Sequence, residues 1–219
     1  MFYLDQEVYR VSAFDRLEWL IHGFGTRLAN IPERFRNLTT LKQVHSADCV
    51  LAGGRSGILG VGDALLENSP GSVIAVKTAD CIPILVADPH HRAVAAVHAG
   101  WRGTAAGIVQ RAVKEMQEHF GSDPADLEAA LGPGILECCY EVGPEVAERF
   151  GRRGRARLDL PGLNRLQLIQ AGVSASRIYV SNLCTMCQPE KFHSFRRDKD
   201  AAGRLYSFIG IQRLGQALK

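Results

Sequence analysis

The sequence predicts an α/β domain of mixed β-sheets flanked by helices, with α+β as the neighbouring class. Three observations lead there. Short apolar runs of strand length follow one another through the central third of the chain. Segments with helical spacing alternate with them further on. The alternation lacks strict βαβ regularity, which argues against a doubly wound nucleotide fold. The 219 residues carry 26 basic and 23 acidic side chains, for a net charge of +3, with 46% hydrophobic and 22% charged residues. These are ordinary globular values, and they exclude intrinsic disorder, collagen and coiled coil. A chain of this length buries one full core, so a single domain over residues 1–219 is expected.

The elements follow in order. Ser72–Lys77 is a β-rich run after the turn Asn68-Ser-Pro-Gly71. Ile82–Ala87 is a second run, closed by Asp88-Pro89, and Ala93–Val97 is a third. Apolar runs this short and unbroken read as buried strands. Pro83 must then sit at a strand start or a bulge, because it has no N–H for a ladder. A helix opens at Gly103-Thr104, carries Ile108, Val109, Ala112, Val113 and Met116 on one face, and stops at Gly121. Glu128–Leu131 reads as a strand broken by Gly132-Pro-Gly134. Glu145–Phe150 and Leu163–Ala171 read as helices, the second ending at Gly172. Arg177–Ser181 and Leu205–Ile211 read as strands.

The N-terminus, MFYLDQEVYR, has no basic stretch followed by an apolar one, so no signal peptide is expected. No apolar run approaches the roughly 20 residues of a membrane span. A cytoplasmic protein with reduced thiols follows, with no membrane partner. Net charge this close to zero gives no reason to expect nucleic acid. Five arginines between Arg149 and Arg157 are interleaved with glycine but with no aromatic residue to stack a base, so they read as a solvated loop.

Common local signatures are missing. There is no GxGxxG, GxxxxGK[ST] or GxSxG, and no histidine begins HExxH or HxE. Four other segments look chemical: Gln43-Val-His45-Ser, Thr78-Ala-Asp80-Cys81-Ile-Pro83, Val97-His98-Ala-Gly-Trp-Arg102-Gly103 and Gly132-Pro-Gly-Ile-Leu-Glu-Cys-Cys-Tyr140. Taken singly, each has a plain reading. His98 would be a buried, hydrogen-bonded histidine, Cys81 a small buried hydrophobe, Asp80 a turn cap and His45 a surface histidine. Taken together, two imidazoles and one thiolate form a donor set that suits Zn2+. Three protein ligands leave a fourth position for water or substrate, as in catalytic zinc sites. Cys81 and His98 border strand ends, where side chains can meet at a sheet's rim.

Arg102 and Arg27 are candidate anion ligands, Arg102 next to a helix start whose amides would add to the charge. A surface salt bridge is the plain reading of either. Cys184-Thr-Met-Cys187 is a CxxC without a second one, so a structural zinc site would need His193 and a further residue. Cys138 and Cys139 are adjacent and read as packing, with Cys138 placed to line a cleft.

In combination these segments strongly resemble the YfiH-like laccase-domain family, also called multicopper polyphenol oxidase-like. The match runs in order from His22-Gly-Phe-Gly-Thr-Arg27 through QVH, TADCIP, VHAGWRG, GPGILECCYEVG and Leu158-Asp-Leu160 to Leu183-Cys-Thr-Met-Cys187 and Phe195-Arg-Arg-Asp198. The resemblance implies a YfiH-like α/β domain and a zinc-dependent purine nucleoside phosphorylase. It would act on adenosine, inosine, guanosine and methylthioadenosine with phosphate, and adenosine deamination would be a further activity. It implies His45, Cys81 and His98 as metal ligands. Beyond the resemblance, the residues themselves offer Arg27, Gln43, Arg102 and Cys138 as candidates to bind substrate or phosphate. Asp80 and Arg102 would be catalytic, Asp80 as an acid–base group or as the orienter of a ligand histidine. The chain departs from the family in a shorter segment, Leu28–Lys42, and in Gly62-Asp63-Ala64, where Ala-Asp-Ala is commoner. Two rivals remain: a copper-dependent polyphenol oxidase and a non-catalytic zinc-containing interaction module. Seven histidines, several outside the candidate cleft, are too few for a multicopper centre, so copper ranks below zinc. A monomer or a homodimer fits equally well.

Overall fold

The computed structural model describes residues 1–213; the last six residues of the expected 1–219 domain lie outside them. In chain order the strands begin with β1 (Phe2–Asp5), β2 (Val8–Val11), β3 (Leu20–Gly25), β4 (Leu38–Lys42) and β5 (Cys49–Leu51). They continue with β6 (Gly57–Val61), β7 (Ala64–Glu67), β8 (Val73–Thr78), β9 (Ile82–Asp88) and β10 (Ala93–Ala99). Then come β11 (Glu128–Leu131), β12 (Glu141–Val142), β13 (Ala156–Arg157), β14 (Ile178–Val180) and β15 (Leu205–Ile211). The α-helices are α1 (Ile31–Arg34), α2 (Trp101–Ala105), α3 (Ile108–Phe120), α4 (Pro144–Glu148), α5 (Leu160–Gln170) and α6 (Phe195–Asp198).

Two mixed sheets carry the structure. One has seven strands in the order β1-β2-β3-β15-β8-β4-β6, and the other six in the order β14-β11-β9-β10-β7-β5. β9 and β10 form an antiparallel hairpin with Ala93 opposite Asp88. The Asp88 carboxylate closes its turn by accepting from the amides of His90 and His91. Strand β9 shows why its run is apolar on both faces. Leu85 and Ala87 pack between the two sheets with Phe24, Ile74, Val76 and Ile209. Ile82, Ile84 and Val86 point the other way, against Ile108, Ala112 and Met116 of α3 and Leu168 of α5. Period-two alternation thus feeds two cores, and neither face of the strand meets water. Burial of each such side chain stabilises the fold by about 1.5–3 kcal/mol. Pro83 is the second residue of β9, opposite His98, and its carbonyl accepts from the Gly132 amide at 2.9 Å.

The helix expected from Gly103 to Phe120 is two helices. Gly107 takes a left-handed φ of 74°, which ends α2 and restarts the chain as α3. The stop at Gly121 holds, with φ 73° and its amide bonded back to the Gln117 carbonyl. The N-terminal hairpin β1–β2 has no sequence signal. Its two-residue turn is Gln6-Glu7, with φ 45° and 65°, in place of the usual Asn-Gly. The short Leu28–Lys42 segment supplies α1 and then β4, so it feeds the first sheet directly. None of the helices of the described residues is long and apolar enough to cross a membrane.

Candidate active site

The hairpin register puts two of the expected ligands side by side. Ile82 faces Ala99 and Pro83 faces His98, so Cys81, just before β9, and His98, near the end of β10, leave the same end of the second sheet. His45 comes from the first sheet, three residues past the end of β4. The site therefore sits where the rims of the two sheets meet. Ligand atoms of His45, Cys81 and His98 lie within 4.8 Å of one another. The two imidazole rings are 4.9 Å apart, edge to face.

The backbone is specialised for this convergence. His45 takes a left-handed φ of 62° and Asp80 a φ of 91°, conformations that non-glycine residues adopt at a cost. Gly100 is required for space. A Cβ there would lie 2.7 Å from the Cys81 sulfur and 3.2 Å from the His45 ring.

Asp63, fully buried, organises both histidines. One carboxylate oxygen accepts from the His45 amide at 3.0 Å and lies 2.8 Å from His98 Nδ1. The other accepts from the Ser46 amide at 2.7 Å, the Ser46 hydroxyl at 3.0 Å and the Val44 amide at 3.2 Å. An ionised carboxylate only accepts, so Nδ1 of His98 carries the proton and Nε2 is the atom free for a metal. The orienter expected at Asp80 is Asp63. Burial raises the Asp63 carboxyl, but the His98 contact and the Ser46 and Val44 amides outweigh it and hold it at about 2. Burial likewise raises the Cys81 thiol, and the neighbouring His98 and His45 bring it down to about 6. Burial lowers His98, while the Cys81 thiolate and Asp63 push it up to about 9. Without a metal, these shifts favour a Cys81 thiolate beside a His98 imidazolium. For this pair, ligation requires the proton on His98 Nε2 to leave.

The trio opens onto a cavity of about 750 Å³. Among the described residues, Lys42, Lys77, Arg102, Arg196, Lys199 and Arg204 line it, against the single carboxylate of Asp80. Its apolar wall includes Trp101, Ile135, Tyr140, Leu160 and Phe195. The Arg102 guanidinium stacks on the Trp101 ring at 4.4 Å, and Arg196 lies 5.3 Å from the Tyr140 ring centroid. Burial pushes the Tyr140 hydroxyl up to about 12, helped by the negative charge of Cys81, so Tyr140 keeps its proton.

The other expected residues fall in different places. Asp80 lines the cavity, but its two oxygens accept from the Thr185 hydroxyl and the Arg196 amide, each at 2.6 Å. Gln43 also lines it, with its side-chain amide spent on both backbone groups of Lys77 at 2.8 Å. Arg27 does not line the cavity; its guanidinium donates to the Pro189 carbonyl at 2.7 Å. Cys138 is not part of the wall either. It is exposed and grouped with Cys139, Cys184 and Cys187. The helix-start amides expected to assist Arg102 are not in place, because α2 is a five-residue turn and α3 starts beyond Gly107. Arg196 lay in the Phe195-Arg-Arg-Asp198 segment and Asp63 in Gly62-Asp63-Ala64, but neither was given a role at the site, and Lys199 and Arg204 had no motif. For Asp63 a further sequence signal was an acid directly before the apolar run Ala64-Leu-Leu66.

Comparison with known proteins places the chain. The family model described as multi-copper polyphenol oxidoreductase laccase matches residues 26–212. A protein named purine nucleoside phosphorylase from Deinococcus radiodurans is 41% identical over 183 residues, which is 79% of this chain and 70% of that protein. One named adenosine deaminase RL5, from an unknown prokaryotic organism, is 38% identical over 201 residues, 85% of this chain and 71% of that protein. The matched stretch spans 61% of a further purine nucleoside phosphorylase, from Bacteroides thetaiotaomicron. The crystal structure of YlmD from Geobacillus stearothermophilus superposes with a TM-score of 0.90 at 28% identity, covering 97% of this chain and 99% of that one.

Proposed function

The chain belongs to the multi-copper polyphenol oxidoreductase laccase family, and from that premise we propose that it is a zinc-dependent purine nucleoside phosphorylase with adenosine deamination as a second activity. One observation carries this reading. A single cavity joins a His₂Cys donor set to six basic side chains. A nucleoside and a phosphate need both an apolar wall for the base and positive charge for the anion. The names of the relatives from Deinococcus radiodurans and the unknown prokaryote point to the same two reactions. In this reading residues 1–219 act as one domain in the cytoplasm, on small molecules alone.

In phosphorolysis a phosphate oxygen bonds to C1′ of the ribose as the bond from C1′ to the purine nitrogen breaks. The electron pair leaves with the base, and the products are free purine and the sugar 1-phosphate. Arg102 and Arg196 hold the phosphate, with Lys42, Lys77, Lys199 and Arg204 supplying the surrounding positive potential. Trp101 and Arg102 are already stacked, so the guanidinium is positioned before phosphate arrives. The purine packs against Tyr140 and Phe195, and Tyr140, still protonated, donates a hydrogen bond to it. Asp80 is the one carboxylate of the wall among the described residues and serves as the acid–base group.

The residues present fit zinc. Three borderline-soft donors converge, one histidine is fixed through Nδ1 by a carboxylate, and the open side faces the cavity. When bound there, zinc would polarise a substrate oxygen or lower the pKa of a water to about 7 for deamination. Copper oxidation of phenols finds less support. A multicopper centre needs many more His and Cys donors than this trio supplies. His22 is committed to an amide, His90 and His119 each sit beside an exposed or partly exposed carboxylate, and His91 is bonded to the buried Asp88.

The test is direct. Metal-analysed protein is incubated with adenosine, inosine or methylthioadenosine, with and without phosphate. Phosphate-dependent release of purine and sugar 1-phosphate is expected. Absence of turnover with zinc bound would overturn the reading in favour of a non-catalytic module, and copper-dependent phenol oxidation would replace it with the oxidase.

A further inference from the structure

Cys138, Cys139, Cys184 and Cys187 come from two segments 45 or more residues apart, yet their sulfurs form one compact group. Cys138 lies 3.6 Å from Cys139, 3.8 Å from Cys184 and 3.9 Å from Cys187, and Cys139 lies 3.3 Å from Cys187. All four sulfurs are within 4.8 Å of one another. A regular tetrahedron around zinc, with Zn–S of about 2.3 Å, has edges of about 3.8 Å. A disulfide would need about 2.05 Å, and all four thiols are free. An iron–sulfur cluster spreads its thiolates around several irons, whereas sulfurs this close enclose one ion.

Packing accounts for the buried Cys184 and in part for Cys139, which lies against the core beneath β9, but not for the group as a whole. Cys138 and Cys187 are exposed and Cys139 is half-buried, although a free cysteine used as a hydrophobe belongs inside. The backbone instead presents them. Gly134 and Cys184 form an isolated parallel bridge, reinforced by the Thr185 amide donating to the Gly134 carbonyl at 3.0 Å. The Cys139 and Tyr140 amides both donate back to the Leu136 carbonyl at 3.0 Å, which curls the first arm around its two thiols. The Arg157 guanidinium, bonded to the Cys138 carbonyl at 2.8 Å, places positive charge beside a site that four thiolates would make negative.

We propose that these four cysteines are a second, structural metal site that holds one tetrahedral thiophilic ion, with Zn2+ as the natural occupant. Four thiols lose their protons as four S–Zn bonds form. The site is closed, because all four positions belong to protein. It ties the arm that carries Tyr140 to the arm that carries Thr185, whose hydroxyl holds Asp80. The proposal stands independently of the reaction assigned to the cavity.

Metal analysis of the full chain, expressed with zinc under reducing conditions, tests it. Two equivalents per chain are expected, falling to one in the Cys138→Ser/Cys187→Ser double variant and to one in Cys81→Ala. With Co2+ in place of zinc, the thiolate-to-cobalt charge-transfer band should lose most of its intensity in the double variant and little in Cys81→Ala. Where the double variant does not fold, the wild type decides. Titration with p-mercuribenzoate should release a second metal equivalent as four thiols react. Unchanged stoichiometry in the double variant, four thiols reacting without metal release, or a disulfide among the four would overturn the site.

Discussion

The two metal-capable clusters differ in almost every physical respect, although each gathers its donors from distant segments. His45, Cys81 and His98 sit on strand ends, with a buried carboxylate behind them and a cavity in front. Cys138, Cys139, Cys184 and Cys187 sit on two loops joined by a single bridge, near the surface and outside the cavity wall. One has three donors and an open side; the other has four and no room for substrate. Zinc chemistry draws the same line, with open three-ligand sites for catalysis and closed four-ligand sites for structure. The lesson is that the number of protein donors and what lies in front of them separate a site for reaction from a site for stability.

The sharpest break of this comparison is Cys81→Ala. It should remove one metal equivalent and more than about 100-fold of phosphorolysis, beyond the range of outer-sphere substitutions. Metal analysis and product formation on the same preparation check it; retained activity would take Cys81 out of the site. Asp63→Asn comes next. It keeps the shape but weakens the acceptor for His98 Nδ1–H, so metal affinity and activity should fall by about 10–100-fold, with the fold retained by circular dichroism. Arg102→Ala should raise KM for phosphate about tenfold, or 1.4 kcal/mol. Arg27→Ala should leave it unchanged, because Arg27 lies against the Pro189 carbonyl.

On the structural side, Cys138→Ser/Cys187→Ser should lower thermal stability while kcat stays within a few-fold. Loss of an ion present at a hundred times its Kd removes about 2.7 kcal/mol, or roughly 5–10 °C of Tm at this chain length. Differential scanning calorimetry with and without added zinc reads it.

His22 provides the smallest effect on activity and a control for burial. It is as buried as His98 but accepts the Val11 amide on Nε2 at 2.9 Å, with no thiolate beside it. Burial pushes it down to about 4, whereas His98 goes up to about 9. Between pH 4 and the ordinary value of 6.5 the unfolded chain binds this proton and the folded chain does not. The stability His22 contributes is therefore present above pH 6.5 and lost as pH falls toward 4, by on the order of 3 kcal/mol. Urea midpoints across that range should fall more steeply in the wild type than in His22→Gln.

Much of the fold was legible because it is local. The apolar runs at 82–87, 93–97 and 205–211 are strands, and the stripe from Ile108 to Met116 is a helix that stops at Gly121. The break at Gly107 was not, since a glycine inside a helical pattern is tolerated as often as it ends one. The Gln6-Glu7 turn was missed because it reaches left-handed backbone without the residues that favour it. At the site, His45, Cys81 and His98 were found by their chemistry as a donor set. Asp63 was missed because its partners lie 17 to 35 positions away, across two sheets. The cysteine tetrahedron escaped for the same reason. Cys138-Cys139 and Cys184-Thr-Met-Cys187 each look incomplete, and only the bridge at Gly134 brings them together.

The comparison of an open, reacting site with a closed, structural one is tested most directly by phosphate-dependent formation of sugar 1-phosphate from inosine. It is measured side by side on the metal-analysed wild type, Cys81→Ala and Cys138→Ser/Cys187→Ser. The expected result is turnover in the wild type and in the double cysteine variant, and none above background in Cys81→Ala. Equal turnover in all three, or none in a wild type with zinc bound at His45, Cys81 and His98, would contradict it.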